Sequence, residues 1–332
     1  MTLLDQAIAQ MNEYGSRREP FFFMFDFALE KPLVIPAERI HENEILFMFN
    51  GRGNASDIVP ENDVEISFRR SPVRFEQYSE AFKYVICQIR AGNSFLVNLS
   101  APTAIATNAS LDALFRLSTA RYKLRFRNEF VCFSPEIFVQ IQGNRIASFP
   151  MKGTIDASLP DAATRILADP KEAAEHATIV DLIRNDISQI ADKVWVERYR
   201  YLEEVKTQRG SLLQVSSEIA GLLPGNWPDR LGDLFLKLLP AGSISGAPKP
   251  KTLEIIRTAE WYDRGYYTGV AGYFDGRNLD SGVLIRFIEQ QENGLVFKSG
   301  GGITAQSDVY AEYQELIDKV YLPIPHRESV TT

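Results

Sequence analysis

Two cysteines and three histidines are the only thiol and imidazole groups in 332 residues. So few thiols cannot staple a fold. Cys87 and Cys132 have neither a CxxC partner nor metal-ligand spacing, and both read as packing residues in a reducing cytosol. His41, His176 and His326 are scattered, which argues against a multi-histidine metal centre. Positive charge is also scarce: 36 Lys and Arg against 43 Asp and Glu leave a net charge of −7. That argues against a nucleic-acid protein, whose affinity rests on phosphate neutralisation. It does not exclude an anionic small substrate, because a local site can oppose the overall sign. No apolar run approaches the roughly 20 residues that span a bilayer. The opening MTLLDQAIAQMNEYGSRRE lacks a basic segment followed by an apolar one, so no signal peptide is expected. The expectation is a soluble, cytoplasmic protein with no membrane partner.

What is present is a full core. Hydrophobic residues make up 45% of the chain, and the length suits one large body. Periodicity predicts helices over 1–15, 75–91, 111–122, 211–222, 227–239, 252–260 and 308–320. Strands are predicted over 21–27, 45–50, 94–100, 130–133, 139–142, 145–148, 194–198, 201–208, 265–274, 282–290 and 294–300. The segment 54–65 reads as a polar loop. FFFMFDF, from Phe21, is apolar on both faces apart from Asp26. Strands cluster before and after helices without strict βαβ alternation, which suggests an α+β body with large antiparallel sheets.

The chain is organised around DPKEAAEHATIVDLIRND, Asp169 to Asp186. Asp169 can cap a helix that Pro170 begins, since proline has no N–H to lose at that position. At about 100° per residue, Glu172, Glu175 and Asp186 fall beside Ile179 and Ile183 on the side expected to be buried. A buried carboxylate needs a partner or a metal. The closing helix, DVYAEYQELIDKV, repeats the pattern: Glu312, Glu315 and Lys319 run beside Val309, Tyr313, Leu316 and Val320. If the two helices meet, their carboxylates converge in a way that suits Mg²⁺, a hard cation that takes one or two protein carboxylates. By spacing alone, solvated charge faces and an ordinary Glu315–Lys319 pair explain the same pattern.

PMKGT, Pro150 to Thr154, reads as a turn with Lys152 at its apex. A lysine in a low-dielectric pocket can act as a nucleophile, while an exposed turn lysine does nothing. Glu136, in SPE, could serve as a general acid if desolvated. SGGGI and the loop PAGSISGAPK offer backbone N–H groups that could cradle a carboxylate, or a plain tight turn. Neither follows a phosphate or dinucleotide fingerprint. Arg286, within the predicted strand GVLIRF, calls for an anionic partner.

Taken together and in order, SPEIF, PMKGT, DPKEAAEHATIVDLIRNDI, PAGSISGAPK, TGVAGYFDGRNLDSGVLIRF, GGGITAQSD and EYQELIDKV resemble the chorismate-utilising enzymes. That family includes anthranilate synthase component I, aminodeoxychorismate synthase component I, and the isochorismate and salicylate synthases. The resemblance implies a single large α+β domain of two packed, mostly antiparallel sheets flanked by helices. It covers about 75–325, the catalytic body, with 1–74 as a shortened N-terminal portion packed on it. Within the family the chain looks most like aminodeoxychorismate synthase component I, because Lys152 stands where anthranilate synthases usually carry alanine, and because of the ending EYQELIDKV. The resemblance then implies amination of chorismate at C4, toward 4-aminobenzoate and folate. Lys152 would attack ring C2 as the 4-hydroxyl leaves, with Glu136 as acid/base. Ammonia, from a separate glutamine amidotransferase subunit, would displace the lysine. Mg²⁺ would lie on Glu175 and Glu315, with Glu172 and Glu312 close by. Gly153, Thr154, Ser243, Tyr267, Arg286, Gly301, Gly302 and Lys319 would complete the substrate pocket. Two positions depart from the family. Leu96 stands where relatives have glutamine, or the water-activating lysine of the isochorismate and salicylate synthases, which disfavours water addition. Leu213 stands where relatives have histidine. Alternatives are anthranilate synthase component I, or a chorismate-binding subunit with impaired catalysis. The short N-terminal portion implies no tryptophan feedback.

Overall fold

The computed structural model describes residues 1–55, 66–207 and 210–324. Two nine-stranded sheets, antiparallel throughout, pack face to face with helices outside them. The first runs Met151–Asp156, Gly210–Leu222, Arg145–Ser148, Ile137–Gln142, Leu279–Val283, Val270–Phe274, Phe21–Phe25, Leu33–Pro36, with Lys193–Thr207 also paired to Gly210–Leu222. The second runs Gly246–Ala247, Leu96–Thr107, Gly294–Ile303, Phe287–Gln291, Phe130–Ser134, Tyr122–Phe126, Ile45–Phe49, Arg52–Gly53, with Phe68–Ser71 paired to Leu96–Thr107. No helix among the described residues is long and apolar enough to cross a membrane.

Phe21–Phe25 explains why that stretch is apolar on both faces. Successive strand side chains point to opposite sides. Phe22 and Met24 pack between the sheets with Phe47, Phe49 and Tyr122. Phe21, Phe23 and Phe25 face the helices, where Phe23 meets Phe235 edge-on at 4.8 Å. The strand pairs with Val270–Phe274, so residues 21–25 are built into the same sheet as strands from the second half of the chain. Helix Leu3–Ser16 begins at a capping box of Thr2 and Asp5 and buries Met11 against this layer.

Several expectations need correction. The predicted helix over 211–222 is a strand: SLLQVSSEIAGL is hydrogen-bonded on both edges by distant segments, a pairing that its apolar run does not reveal. The predicted strands 194–198 and 201–208 are one bulged strand, Lys193–Thr207, with Arg200 in the left-handed region. The predicted helix from Leu111 stops at Leu117, and Tyr122 starts a strand. Strand SFLVNLS continues to Thr107, whereas 265–274 becomes extended only at Val270. Cys132 is buried as expected, but Cys87 is exposed. The predicted loop beyond Ala55, Gln208 and the chain from 325 lie outside the described residues.

Candidate active site

Helix Pro170–Ser188 begins as expected: Asp169 Oδ1 accepts from the N–H of Glu172 at 3.1 Å. Its register turns Glu175 toward the strand Met151–Asp156. There Lys152, expected in a turn, lies in a strand and pairs with Val215. Lys152 Nζ donates to Glu175 Oε2 at 3.2 Å, and the two side chains keep 27% and 18% exposure, so the pair opens onto a cleft. The register slips after Lys152, at Gly153 with φ of +76°. An added Cβ there would lie 2.8 Å from Glu172 Oε2, so the glycine lets the acidic helix approach the lysine strand. Thr154, beyond the bulge, is exposed.

Gly301 and Gly302 lie in the strand Gly294–Ile303, not in a turn, and face Leu99 and Asn98. Pairing on the other edge ends at Lys298, which leaves the glycine stretch open toward the cleft. A Cβ on Gly301 would stand 3.4 Å from Glu312 Oε2, 3.5 Å from Glu315 Oε1 and 3.8 Å from Lys319 Nζ. A Cβ on Gly302 would stand 3.0 Å from Leu96 Cδ1 and 3.6 Å from Lys152 Nζ. The glycines therefore hold both acidic helices and both lysines around one strand. The closing helix Val309–Asp318 is capped by Asp308, and Lys319 at its end bonds Glu315 at 2.5 Å and the Gly300 carbonyl at 2.8 Å. Burial pulls the Lys319 ammonium down; Glu315 opposes this, and Arg286 and Lys152 add to it.

Glu136 sits where the chain crosses from the second sheet to the first, between Phe130–Ser134 and Ile137–Gln142. Ser243 Oγ donates to its Oε1. Burial raises its pKa, against the pull of Ser243, Arg286, Lys319 and Lys152. Burial and the three cations thus act on this carboxyl in opposite directions, with burial the larger. Arg286 is not within a strand as expected. It occupies the opposite crossing, from Leu279–Val283 to Phe287–Gln291, with φ of +54°. Its Nε is buried without a hydrogen bond, and its guanidinium lies 5.3 Å from the Tyr321 ring centroid. Tyr267 is buried at 3% exposure, and burial pushes its hydroxyl far up.

Sequence reasoning missed His176. It is 1% exposed, and its Nε2 pairs with Ser217 Oγ at 2.7 Å. Ser217 also takes the N–H of Arg200 at 2.9 Å, and its own N–H donates to the Pro150 carbonyl at 3.0 Å. This joint ties the acidic helix to the lysine strand one residue from Glu175. Burial, with Arg200 and Lys152, lowers the imidazole to about 4. The adjacent Glu-His pair was the available signal. Leu213 pairs with Ile155, three residues beyond Lys152, while Leu96 and Lys152 both flank Gly302.

Among the described residues no three carboxylate, imidazole or thiol groups stand close enough to hold a metal ion. Of the four expected carboxylates, Glu312 and Glu315 bring oxygens within 3.4 and 3.5 Å of the Cβ position over Gly301, a pair compatible with Mg²⁺, which takes one or two carboxylates and keeps several waters.

The chain matches the chorismate binding enzyme family over residues 28–325. It is 50% identical over 317 residues to an uncharacterized PabA-like protein of Haemophilus influenzae, covering 96% of each chain. It is 35% identical over 263 residues to an anthranilate synthase component 1 of Haloarcula marismortui, covering 74% of this chain and 52% of that one. It is 33% identical over 267 residues to the aminodeoxychorismate synthase component 1 of Klebsiella aerogenes, covering 76% and 58%. The chain therefore spans little more than half the length of these last two relatives. In fold it is similar to the menaquinone-specific isochorismate synthase of Escherichia coli, with a TM-score of 0.71 at 18% identity, covering 96% of this chain and 81% of that one. This chain belongs to the chorismate-binding enzymes.

Proposed function

We propose that the protein aminates chorismate at C4 to give 4-amino-4-deoxychorismate, with ammonia from a separate glutamine amidotransferase subunit. The observation that carries this reading is the setting of Lys152. Its amine stands 3.2 Å from Glu175 Oε2, with Leu96 next to it. Lys152 Nζ bonds to C2, the ring double bonds shift, and the C4–O bond breaks. Glu136, whose pKa burial raises, gives a proton to the departing hydroxyl, which leaves as water. Ammonia then bonds to C4, the double bonds shift back, and the C2–N bond to Lys152 breaks. Arg286, Lys319 and the open edge at Gly301 and Gly302 hold the substrate carboxylates, and Tyr267 and Ser243 shape the pocket. Gly153 and Thr154 continue its floor past Lys152. Glu175 and Glu315, with Glu172 and Glu312, would hold Mg²⁺, which when bound neutralises charge on the ring carboxylate.

The test is to incubate the protein with chorismate, MgCl₂ and ammonium chloride and to identify the product by mass and chromatography. Aminodeoxychorismate supports the reading. Anthranilate moves the protein to the other amination, which the 35% identical relative favours as a second reading. Chorismate binding without turnover makes it a binding subunit, with Leu213 the first suspect.

A further inference from the structure

Behind Glu136 and Ser243 lies a cavity that the reaction above does not use. It offers about 20 Å³ to the centre of a water-sized sphere, and Glu136, Ser148, Asp186 and Ser243 line it among apolar side chains. Roughly 10–15 Å³ on that measure admits one water, given two to four polar partners. Ser148 spends its hydrogen on the Phe138 carbonyl at 2.8 Å, which leaves its lone pairs to accept. On the far side Asp186 pairs with Lys249 at 2.8 Å, and these side chains keep 12% and 17% exposure, so the pair reaches solvent. Gly242, in the one-turn helix Gly242–Ser245 that carries Ser243, is so close that a Cβ would lie 2.9 Å from Asp186 Oδ2. Burial pushes the Asp186 carboxyl up against the pull of Lys249, as burial does for Glu136 against Arg286, Lys319 and Lys152.

We propose that this cavity holds one water molecule, through which Asp186, with Lys249 at the surface, relays protons to Glu136. The proposal rests on Glu136 being the acid of the reaction above. Each turnover sends the Glu136 proton away with the hydroxyl as water. Ammonia enters neutral and ends as an ammonium group on the product, so one proton per turnover comes from solvent. From the cleft that proton meets Lys152, Lys319 and Arg286. From behind it meets a carboxyl: the cavity water gives a proton to Glu136 and takes one from Asp186, which is refilled past Lys249.

The test follows loss of chorismate, with MgCl₂ and ammonium chloride, in Asp186→Asn and Ala241→Val. The second variant fills the cavity with two methyl groups, leaves every charge in place, and carries the test should the first not fold. The relay predicts a fall in kcat of about ten-fold in each, chorismate KM within about two-fold, and a larger solvent deuterium isotope effect. Added formate restores part of the rate in Asp186→Asn and none in Ala241→Val. Unchanged rates in both variants, or kcat and KM changing together with an unchanged isotope effect, overturn the relay. Wild-type loss of chorismate without amination overturns the proposed function and leaves the relay readable. No loss of chorismate overturns both.

Discussion

Arg264 and Glu260 form the most deeply buried ion pair beside the candidate site, with side chains 1% and 2% exposed. The contact is bidentate, Nε to Oε2 at 2.8 Å and Nη2 to Oε1 at 2.6 Å. Arg264 also donates to the carbonyls of Ile244 and Asn98 and to Thr268 Oγ1. It thereby holds the short helix of Ser243 through Ile244 and the position of Tyr267 through Thr268. Burial opposes the guanidinium charge, and Glu260 outweighs it. Arg264→Met keeps much of the volume and strands Glu260 as a buried charge, which among the described residues keeps the Ser100 N–H at 2.8 Å and Oγ at 2.7 Å. Breaking one side of a buried pair costs about 3–5 kcal/mol, a large share of a total near 5–15 kcal/mol. At about 2.1 cal/mol/K per residue, 332 residues shift by about 1.4 °C per kcal/mol, so the melting midpoint falls by roughly 4–7 °C. Arg264→Met with Glu260→Gln removes both charges and loses less than the sum of the single changes, by about 2 kcal/mol or more. Urea unfolding of the four proteins in the cycle measures this. A single-variant loss below about 1 kcal/mol, or strict additivity, refutes the reasoning.

Asp280 is 7% exposed, accepts from Tyr122 and Gln140, and is raised by burial to about 6. Because this lies above the unfolded value of about 3.9, the folded state binds the extra proton between those limits, and the contribution of Asp280 falls as pH rises through about 6. The wild-type midpoint should drop relative to Asp280→Asn between about pH 4 and 7, and a constant difference contradicts this. Gly153→Ala forces a Cβ into the left-handed region, at about 1–2 kcal/mol, and 2.8 Å from Glu172 Oε2. Urea midpoints should show that loss, and an unchanged midpoint counts against it. Glu315→Gln should raise by about ten-fold or more the Mg²⁺ concentration that supports chorismate binding in calorimetry. Equal Mg²⁺ dependence in both proteins removes Glu315 from the metal site.

The acidic helices were legible because capping and 3.6-residue spacing are local: Asp169, Pro170 and Asp308 stand where the pattern puts them. Large antiparallel sheets followed from strand clustering, and their packing as a pair from the family resemblance. What failed was non-local. Gly210–Leu222 reads as a helix until its partners on both edges are known. Lys152 and the Gly300–Gly302 run look like turns because glycine punctuates both, although here glycine serves close approach between layers. Arg286 reads as a strand residue, but the crossing between sheets that fixes its left-handed backbone leaves no mark in its neighbours. The Asp186–Lys249 pair and the His176–Ser217 joint join segments far apart in sequence, and no periodicity announces them.

The central claim is that Lys152 bonds to the substrate. The direct measurement is intact-protein mass spectrometry, with peptide mapping, after mixing the protein with chorismate and MgCl₂ in the absence of any ammonia source. The account predicts a mass gain of one chorismate less one water, located on Lys152, absent from Lys152→Ala and discharged by ammonium chloride. No gain on a protein that still aminates chorismate when ammonia is supplied would contradict a covalent role for Lys152.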